Sequence, residues 1–265
     1  MKLFKLLLQK DTDKNIISQS LKHFKPVKIE PNLKVILDSI PNATGVFYIY
    51  NSSREIIYIG KSKNIKKRVT QLFTGSNKKS KEIQKQVADV TFEKTGNELI
   101  SILKEFIEVR KHEPFLNGKI KRTNFSHGLY VHTDEQDQPT LQVKSAVKDP
   151  NYILSFSSSK SGTDFLEKIE EDKSPQDVIA EIKEKYSIIG KSKIIVDRGR
   201  EASERSVILV EQGKVIGYAF VNLRIQMTDT SMLKSLLTPM DGSKQVTHII
   251  SSYLRHKRVH QVIDL

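Results

Sequence analysis

The segment GVFYIYNSSREIIYIGKSKNIKKR, at residues 45–68, restricts the fold more than any other part of the chain. It contains two stretches rich in Val, Ile, Phe and Tyr, which are typical of strands, separated by a polar span of hairpin length at residues 52–54. A dense run of basic residues follows the second stretch. We therefore predict two antiparallel strands, with Tyr58 near the end of the second strand and many cations around it.

A helix and a third strand are predicted to complete this unit. Asn64 is a suitable N-cap, and Ile65, Val69 and Leu72 recur at helical spacing, which predicts one apolar stripe packed on the sheet. Further along the chain, VTFEK at residues 90–94 is the candidate for the third strand. The pattern therefore predicts a small antiparallel sheet flanked by helices.

The next helix is predicted to begin at Thr95-Gly96-Asn97-Glu98, which has the Thr-x-x-Glu spacing of a capping box, and to end before Pro114. Helical periodicity places two sets of residues on opposite faces of this helix. The set predicted to be buried is Leu99, Ile102, Leu103, Phe106 and Val109, and the polar set is Glu98, Ser101, Glu105, Glu108 and His112. Glu105 is therefore expected on a rigid element.

The sequence pattern divides the chain into three parts. Residues 1–40 form a lead-in segment with a short helix at NIISQSLKHF, residues 41–118 form the unit described above, and residues 119–265 form a second α/β domain. The strand candidates of this second domain lie near residues 128–133, 141–146, 151–157, 193–197, 206–211 and 214–223. Ser174-Pro175-x-Asp177 and SKQVTHIISSYLRH indicate two of its helices. The predicted fold class is α/β (α+β), with a three-stranded antiparallel sheet in the first domain.

The overall charge favours a polyanionic partner. The chain of 265 residues has 44 Lys plus Arg against 31 Asp plus Glu and a pI near 9.6, so nucleic acid is the leading candidate and an anionic membrane surface comes second. It contains no cysteine, so any metal would need oxygen or histidine ligands. Because we find no membrane span, signal peptide or phosphate-binding P-loop, we expect a cytoplasmic protein without a nucleotide or other small-molecule cofactor.

Four kinds of group are predicted to meet in residues 41–118: the phenol of Tyr58, a cluster of cations, the carboxylate of Glu105 and the amide of Asn117. Such a set suits phosphodiester hydrolysis, because the transition state concentrates negative charge that cations and a divalent metal stabilise while a base removes a proton from water. A phenol, with an ordinary pKa of about 10, can be that base only if neighbouring positive charge lowers its pKa.

The ordered motifs GVF, YIG, KSKNIKKR, TGNELISILKE and KHEPFLN resemble the GIY-YIG nuclease domain, in the variety found in the excinuclease UvrC of nucleotide excision repair. The resemblance covers residues 41–117. Five residues fall on the motif positions of the family: Tyr58, Lys61, Arg68, Glu105 and Asn117. The resemblance implies a structure-selective DNA endonuclease, with DNA as its partner and with replication or repair proteins as further partners.

The resemblance also implies a role for each of these residues. Tyr58 would accept a proton from the attacking water or align it, while Lys61 and Arg68 would stabilise negative charge. Glu105 would be the sole protein carboxylate that holds one Mg²⁺ or Mn²⁺ ion, and Asn117 would orient the site. The further cations expected to contact DNA are Lys63, Lys66 and Lys67.

The chain departs from the family at one position, because Phe47 stands where the family has the tyrosine of GIY. Tyr48 is adjacent, but successive strand residues face opposite sides of a sheet, so Tyr48 cannot replace the missing hydroxyl. Loss of one hydroxyl near a reacting phosphate is expected to lower the rate about 10²-fold. One alternative is therefore a catalytically weakened GIY-YIG module that binds DNA without cleaving it.

A longer resemblance is to the C-terminal part of bacterial proteins that fuse a DNA polymerase III epsilon-like exonuclease to a GIY-YIG domain. It rests on SIPNATGVFYIYN, IIVDRGREASERSVILVEQGKVIGY and LLTPMDGSKQVTHIISSYLR. This sequence contains neither the exonuclease domain nor the cysteine-containing segment of those proteins, so exonuclease activity is not implied. The other alternative is a polymerase-associated interaction subunit.

The remaining polar residues are assigned no catalytic role. The histidines without ligand spacing, expected on the surface, are His112, His132, His248, His256 and His260. Asp197 is interpreted as a turn residue, because no second and third carboxylate accompany it in convincing places. The basic sequence YLRHKRVH near the C terminus either contacts phosphates or keeps a helix soluble, and both interpretations stay open.

Overall fold

A computed structural model of the chain describes residues 29–118, 125–146, 149, 151–169, 173–223 and 230–265. The helix predicted at NIISQSLKHF lies outside these residues. The described residues contain three antiparallel sheets with helices around them, which confirms the predicted mixed fold class. None of the helices in this described part is long and apolar enough to span a bilayer.

The first sheet is built from β1 (Gly45–Tyr50), β2 (Ile56–Ser62) and β3 (Asp89–Lys94). The strands are antiparallel in the spatial order β2-β1-β3, so β2 is an edge strand. Asn51 closes the turn between β1 and β2, because its Oδ1 accepts hydrogen bonds from the backbone N–H groups of Ser53 and Glu55 at 3.0 and 2.9 Å. The predicted hairpin and the three-stranded sheet are confirmed.

Three helices cover one face of this sheet. They are α1 (Pro31–Ser39), α2 (Ile65–Thr74) and α3 (Lys78–Gln86). Asn64 caps α2 as predicted, accepting a hydrogen bond from the Lys67 N–H at 2.9 Å, and the predicted apolar stripe of α2 is buried. Leu33 and Leu37 of α1 belong to the same core as Phe47 of β1.

The helix α4 (Glu98–His112) contributes to two cores. Val109 packs against the second face of the first sheet. The side chains of Leu99, Ile100 and Leu103 pack against a separate five-stranded sheet. This helix, which carries Glu105, is therefore held from two sides.

The capping box predicted at the start of α4 is wrong. The N-cap is Asn97, whose Oδ1 accepts a hydrogen bond from the Ile100 N–H at 2.9 Å, whereas the Thr95 hydroxyl donates to the Asn97 carbonyl at 2.9 Å. Asparagine is as strong an N-cap as threonine, and the helix begins directly after it. Glu98, predicted as the capping partner of Thr95, instead forms an ion pair with Lys63 at 3.0 Å.

The rest of the described chain contains a three-stranded and a five-stranded sheet, in the orders β5-β4-β6 and β10-β9-β8-β7-β11. Their strands are β4 (His127–Thr133), β5 (Pro139–Ser145), β6 (Leu154–Phe156), β7 (Lys193–Arg198), β8 (Glu204–Glu211), β9 (Lys214–Asn222), β10 (Thr238–Pro239) and β11 (Gln261–Asp264). The helices are α5 (Ser159–Ile169), α6 (Pro175–Glu181), α7 (Thr230–Leu236) and α8 (Lys244–His256), and a π-helical turn at Ile182–Tyr186 follows α6. Ser174 caps α6 as predicted, through the Asp177 N–H at 3.2 Å.

Asn97 also joins the first sheet unit to the five-stranded sheet. Its Nδ2 donates to the Arg198 carbonyl at 2.7 Å and to Ser206 Oγ at 2.8 Å. Next to it the backbone of Gly96 passes so close to that of Gly199 that a Cβ on Gly96 would lie 1.8 Å from the Gly199 carbonyl oxygen. This junction is tightly packed, and the division of the chain after residues 40 and 118 stays a prediction.

Two residues expected at the surface are buried. Ser101 of α4 is enclosed because both sides of its helix are covered, and its hydroxyl donates to the Glu98 carbonyl at 2.8 Å. His248 of α8 lies 2.8 Å from Ser155 Oγ through its Nδ1, and its ring stacks on Phe125. Burial lowers the pKa of His248 to about 4, so its imidazole is neutral at physiological pH.

Candidate active site

Tyr58 lies on β2 and points into the face of the sheet covered by α2. A register shift beside Tyr50 places Tyr58 opposite Ile49, and its side chain is only 8% exposed. Burial raises the pKa of the Tyr58 phenol above its ordinary value, while the neighbouring Arg68 guanidinium partly offsets this rise. The phenol is therefore protonated near neutral pH.

Phe47 and Tyr48 face opposite sides of the sheet, as predicted. The Phe47 ring is completely buried beside Tyr58, with the two ring centroids 6.0 Å apart. The Tyr48 hydroxyl donates to Glu93 Oε1 at 2.9 Å on the other side. Gly60 gives the two rings space, because a Cβ there would lie 2.6 Å from Phe47 Cζ and 2.9 Å from Tyr58 Cε1. Tyr48 thus does not supply a hydroxyl beside Tyr58.

Glu105 projects from α4 towards the free edge of β2. Its Oε1 accepts a hydrogen bond from the Lys61 N–H at 3.2 Å, whereas its Oε2 accepts none from any other described residue. Burial raises the pKa of the Glu105 carboxyl. The positive charges of Lys61 and Arg68 and the hydrogen bond from the Lys61 N–H act to lower it. The result is a shielded carboxylate with one oxygen free to bind a cation.

Asn117 lies on the short 3₁₀ helix Phe115–Asn117 and holds the edge of β2. Its Oδ1 accepts the Ile59 N–H at 2.8 Å and its Nδ2 donates to the Ile59 carbonyl at 2.7 Å. These are the two hydrogen bonds that a neighbouring strand would make to an edge residue. Asn117 therefore fixes the backbone between Tyr58 and Lys61.

The cations around Tyr58 come from two helices. Arg68 is exposed on α2, and its Nη1 lies 3.5 Å from Gln71 Oε1. Lys79 of α3, which the sequence interpretation missed, holds its Nζ 5.3 Å from the centre of the Tyr58 ring, within cation–π range. The signal that could have found it is the basic, Asn77-capped segment NKKSKEIQK.

The other predicted cations are placed differently. Lys63 is paired with Glu98, whereas Lys67 is exposed and Lys66 is half-buried on α2. No group of three or more His, Asp or Glu side chains that could together hold a metal occurs in the described ranges. The structure thus brings the five predicted catalytic residues together around β2, and the DNA contacts of the three lysines stay predictions.

Comparison with known proteins identifies the first part of the chain. Residues 43–118 match the family model of the UvrC-like GIY-YIG domain. Residues 43–118, which contain the three-stranded sheet β2-β1-β3, are therefore similar to the UvrC-like GIY-YIG domain.

Three similar curated proteins carry the name UvrABC system protein C. The one from Dictyoglomus thermophilum is 28% identical over 123 residues, which cover 46% of this chain and 18% of that protein. The one from Lactiplantibacillus plantarum is 31% identical over 119 residues, or 44% and 20% of the two chains. The one from Clostridium botulinum (strain Hall) is 27% identical over 172 residues, or 64% and 26%. The chain therefore spans no more than 26% of the length of these three relatives.

A solved structure resembles the same region. It is the GIY-YIG N-terminal endonuclease domain of UvrC from Thermotoga maritima bound to magnesium as its catalytic divalent cation. The two sequences are 22% identical with a TM-score of 0.31, and the superposition covers 33% of this chain and 98% of that domain.

Proposed function

We propose that the chain is a metal-dependent, structure-selective DNA endonuclease that hydrolyses a phosphodiester bond in repair or replication. The observation that carries this proposal is the grouping of Tyr58, Arg68 and Glu105 beside β2, where the charge of Arg68 acts to lower the pKa of both Tyr58 and Glu105 and the charge of Glu105 acts to raise that of Tyr58. The match of residues 43–118 to the UvrC-like GIY-YIG domain supports DNA as the substrate.

Tyr58 would position the attacking water through its hydroxyl. Because burial raises its pKa, the phenol keeps its proton in the resting site and can donate one hydrogen bond while accepting another. It would accept a proton only when added positive charge stabilises the phenolate. Arg68 already acts in that direction.

Glu105 would hold the single Mg²⁺ or Mn²⁺ ion. The shielded carboxylate has one oxygen without a hydrogen bond from the described residues, and burial raises its pKa by more than the charges of Lys61 and Arg68 lower it. Mg²⁺ is commonly bound by one or two carboxylates together with waters and substrate phosphates, which fits a site with a single acid. When bound, the ion supplies stabilisation of negative charge on the phosphate.

Lys61 and Arg68 would stabilise the remaining charge of the transition state. Both act on Glu105 electrostatically, and Arg68 also acts on Tyr58, so their charges reach the space between these two groups. Fixed cations need no reorganisation as charge develops on the phosphate. Asn117 would keep this arrangement in register through its two hydrogen bonds to Ile59.

The test is cleavage of end-labelled duplex, nicked, flap and bubble DNAs in Mg²⁺ or Mn²⁺. We expect structure-dependent cuts by the natural chain, no cuts above background by Glu105→Gln, and a rate about 10²-fold or more lower for Tyr58→Phe. Each variant has a matched control in the same elements. Glu108→Gln removes a carboxylate elsewhere on α4 that pairs with His112 at 3.3 Å, and Tyr48→Phe removes a hydroxyl from the other face of the sheet.

Both control variants should cut like the natural chain. Cleavage by Glu105→Gln at the natural rate would remove the assignment of the metal site. Equal losses of cleavage rate in Tyr58→Phe and Tyr48→Phe would show that the Tyr58 hydroxyl contributes only to packing.

A second candidate function is a DNA-binding module that does not cleave. Two observations favour it: Phe47 lacks the hydroxyl of the family, and burial keeps the Tyr58 phenol protonated. It predicts DNA binding whose log affinity falls linearly with log salt and no product with any divalent metal. If such a module serves as a polymerase-associated subunit, as the longer resemblance suggests, it should co-purify with a replicative polymerase.

A further inference from the structure

A groove lies where the first sheet unit meets the five-stranded sheet. It consists of two adjoining cavities, of about 520 and 310 Å³, that share Thr44, Gly96 and Arg198 in their walls. We call this the junction groove. Its floor includes the close approach of Gly96 to Gly199, where neither residue has a side chain to fill the space.

Four exposed cations line the junction groove without a carboxylate partner. They are Lys94 at the end of β3, Arg198 at the end of β7, and Lys257 and Arg258 just after α8. Within the part of the chain that the structure describes, none of the four forms an ion pair. Cations that face a cleft unpaired are available to an anion from solution.

The junction groove has fewer acidic than basic residues, and two of its acidic residues already have partners. Glu98 is paired with Lys63, and Asp197 accepts the Arg198 N–H at 2.8 Å. Burial raises the pKa of the Asp197 carboxyl, while the nearby charges of Arg198 and His260 lower it. Glu201 is the third carboxylate of the lining. The groove therefore keeps an excess of positive charge.

The junction groove is connected to the candidate active site through the chain at the end of β2. Lys63 lines one of its cavities and follows Lys61 by two residues along the end of β2. The Thr44 hydroxyl donates to the Lys63 carbonyl at 3.1 Å and so fixes this connection. The Lys61 N–H in turn binds Glu105. A polyanion that lies in the groove would reach the site along this edge of the sheet.

We propose that the junction groove binds the phosphate backbone of DNA and positions the duplex for cleavage beside β2. This inference rests on the proposed endonuclease function and assigns the C-terminal sheet a part in substrate binding. Contacts to phosphate supply most of the sequence-independent affinity of a DNA-binding protein and fix its register on the duplex. Asn97 holds the two walls at a constant separation through its bonds to Arg198 and Ser206.

The test is fluorescence anisotropy of a short labelled duplex with the full chain, between about 50 and 200 mM salt. The variant is Arg198→Ala/Lys257→Ala. The control is Lys191→Ala/Lys214→Ala, which removes the same charge from exposed lysines at the opposite end of the five-stranded sheet, beside the turn from β8 to β9. Each lost phosphate contact should reduce the slope of log affinity against log salt by about 0.9.

For the groove variant we expect a slope whose magnitude is about 1.8 smaller than that of the natural chain. With the two affinities taken as equal at about 1 M salt, the variant then binds about 60-fold more weakly than the natural chain at about 0.1 M salt. The control should keep the natural slope. Equal slopes in the two double variants, or a natural chain that does not bind the duplex, would overturn the inference.

The endonuclease proposal is tested separately, by running the cleavage assay on the same proteins. Glu105→Gln should keep the natural slope and lose cleavage. Absence of cleavage by the natural chain, with the slope difference intact, would reject the nuclease and leave the groove as a DNA-binding surface.

Discussion

Replacing Asn117 by alanine should lower the free energy of unfolding by about 3 kcal/mol. The change removes both hydrogen-bond partners of the Ile59 backbone, namely Oδ1, which accepts from the Ile59 N–H at 2.8 Å, and Nδ2, which donates to the Ile59 carbonyl at 2.7 Å. Ile59 is completely buried, so water reaches its N–H and carbonyl poorly once the amide is gone. A buried polar group left without a partner costs about 1–3 kcal/mol, so about 1.5 kcal/mol for each of the two groups gives the loss of about 3 kcal/mol.

The variant Asn117→Asp separates the two hydrogen bonds. One carboxylate oxygen can still accept the Ile59 N–H, but the other replaces an N–H donor 2.7 Å from the Ile59 carbonyl. An ionised carboxylate is repelled there, whereas a protonated carboxyl can donate. The pKa of the introduced carboxyl should therefore be raised in the folded state above its unfolded value of about 3.9.

This shift gives the variant a characteristic pH dependence. The folded state binds the proton more tightly than the unfolded state, so the stability of Asn117→Asp relative to the natural chain is highest below about pH 4 and declines as the pH rises through the folded-state pKa. Urea unfolding of the natural chain and both variants, at several pH values, measures it. The control is Asn51→Ala, which removes three side-chain hydrogen bonds from an exposed turn and should cost less than Asn117→Ala. A pH-independent difference between Asn117→Asp and the natural chain would refute the reasoning.

Two further predictions concern packing and burial. Gly60→Ala places a Cβ 2.6 Å from Phe47 Cζ. We therefore expect the free energy of unfolding, measured with urea, to fall by about 1–3 kcal/mol, and cleavage to weaken as the Tyr58 ring shifts. Unchanged stability would mean that the two rings have room for the added methyl group. The pKa of His248 is about 6.5 in the unfolded chain and about 4 in the folded protein, so between these pH values only the unfolded state binds the proton. The free energy of unfolding should therefore fall by about 3 kcal/mol as the pH drops from 6.5 to 4. In His248→Gln that part of the pH dependence should disappear, and an identical profile in both proteins would contradict the burial argument.

Local patterns predicted the elements that surround the site. The two apolar strands, the turn at residues 52–54 and the Asn64 cap depend on neighbours a few positions apart, and the structure confirms all three. The five motif residues were found through the family resemblance, and the structure places them around one strand. Their catalytic roles stay predictions until the variants are measured.

Contacts between distant segments could not be predicted. The bond from Asn117 to Ile59 spans 58 positions, and nothing in the short pattern KHEPFLN indicates which backbone group the amide reaches. The true cap of α4 is Asn97, whose amide nitrogen also donates to Arg198 and Ser206, more than 100 positions away. His248 of α8 resembled a surface residue because its partner Ser155 lies on β6, 93 positions earlier in the chain.

The sharing of α4 between two sheets makes the unit of residues 43–118 hard to excise. A graft that ended after residue 118 would expose Leu99, Ile100 and Leu103, which now pack against the five-stranded sheet. Burying each such side chain is worth about 1.5–3 kcal/mol, and the sum is comparable with the whole stability of a small domain. The helix that carries Glu105 thus takes part of its rigidity from strands outside the GIY-YIG motif. A transplanted nuclease would need either those strands or polar replacements on that face of the helix.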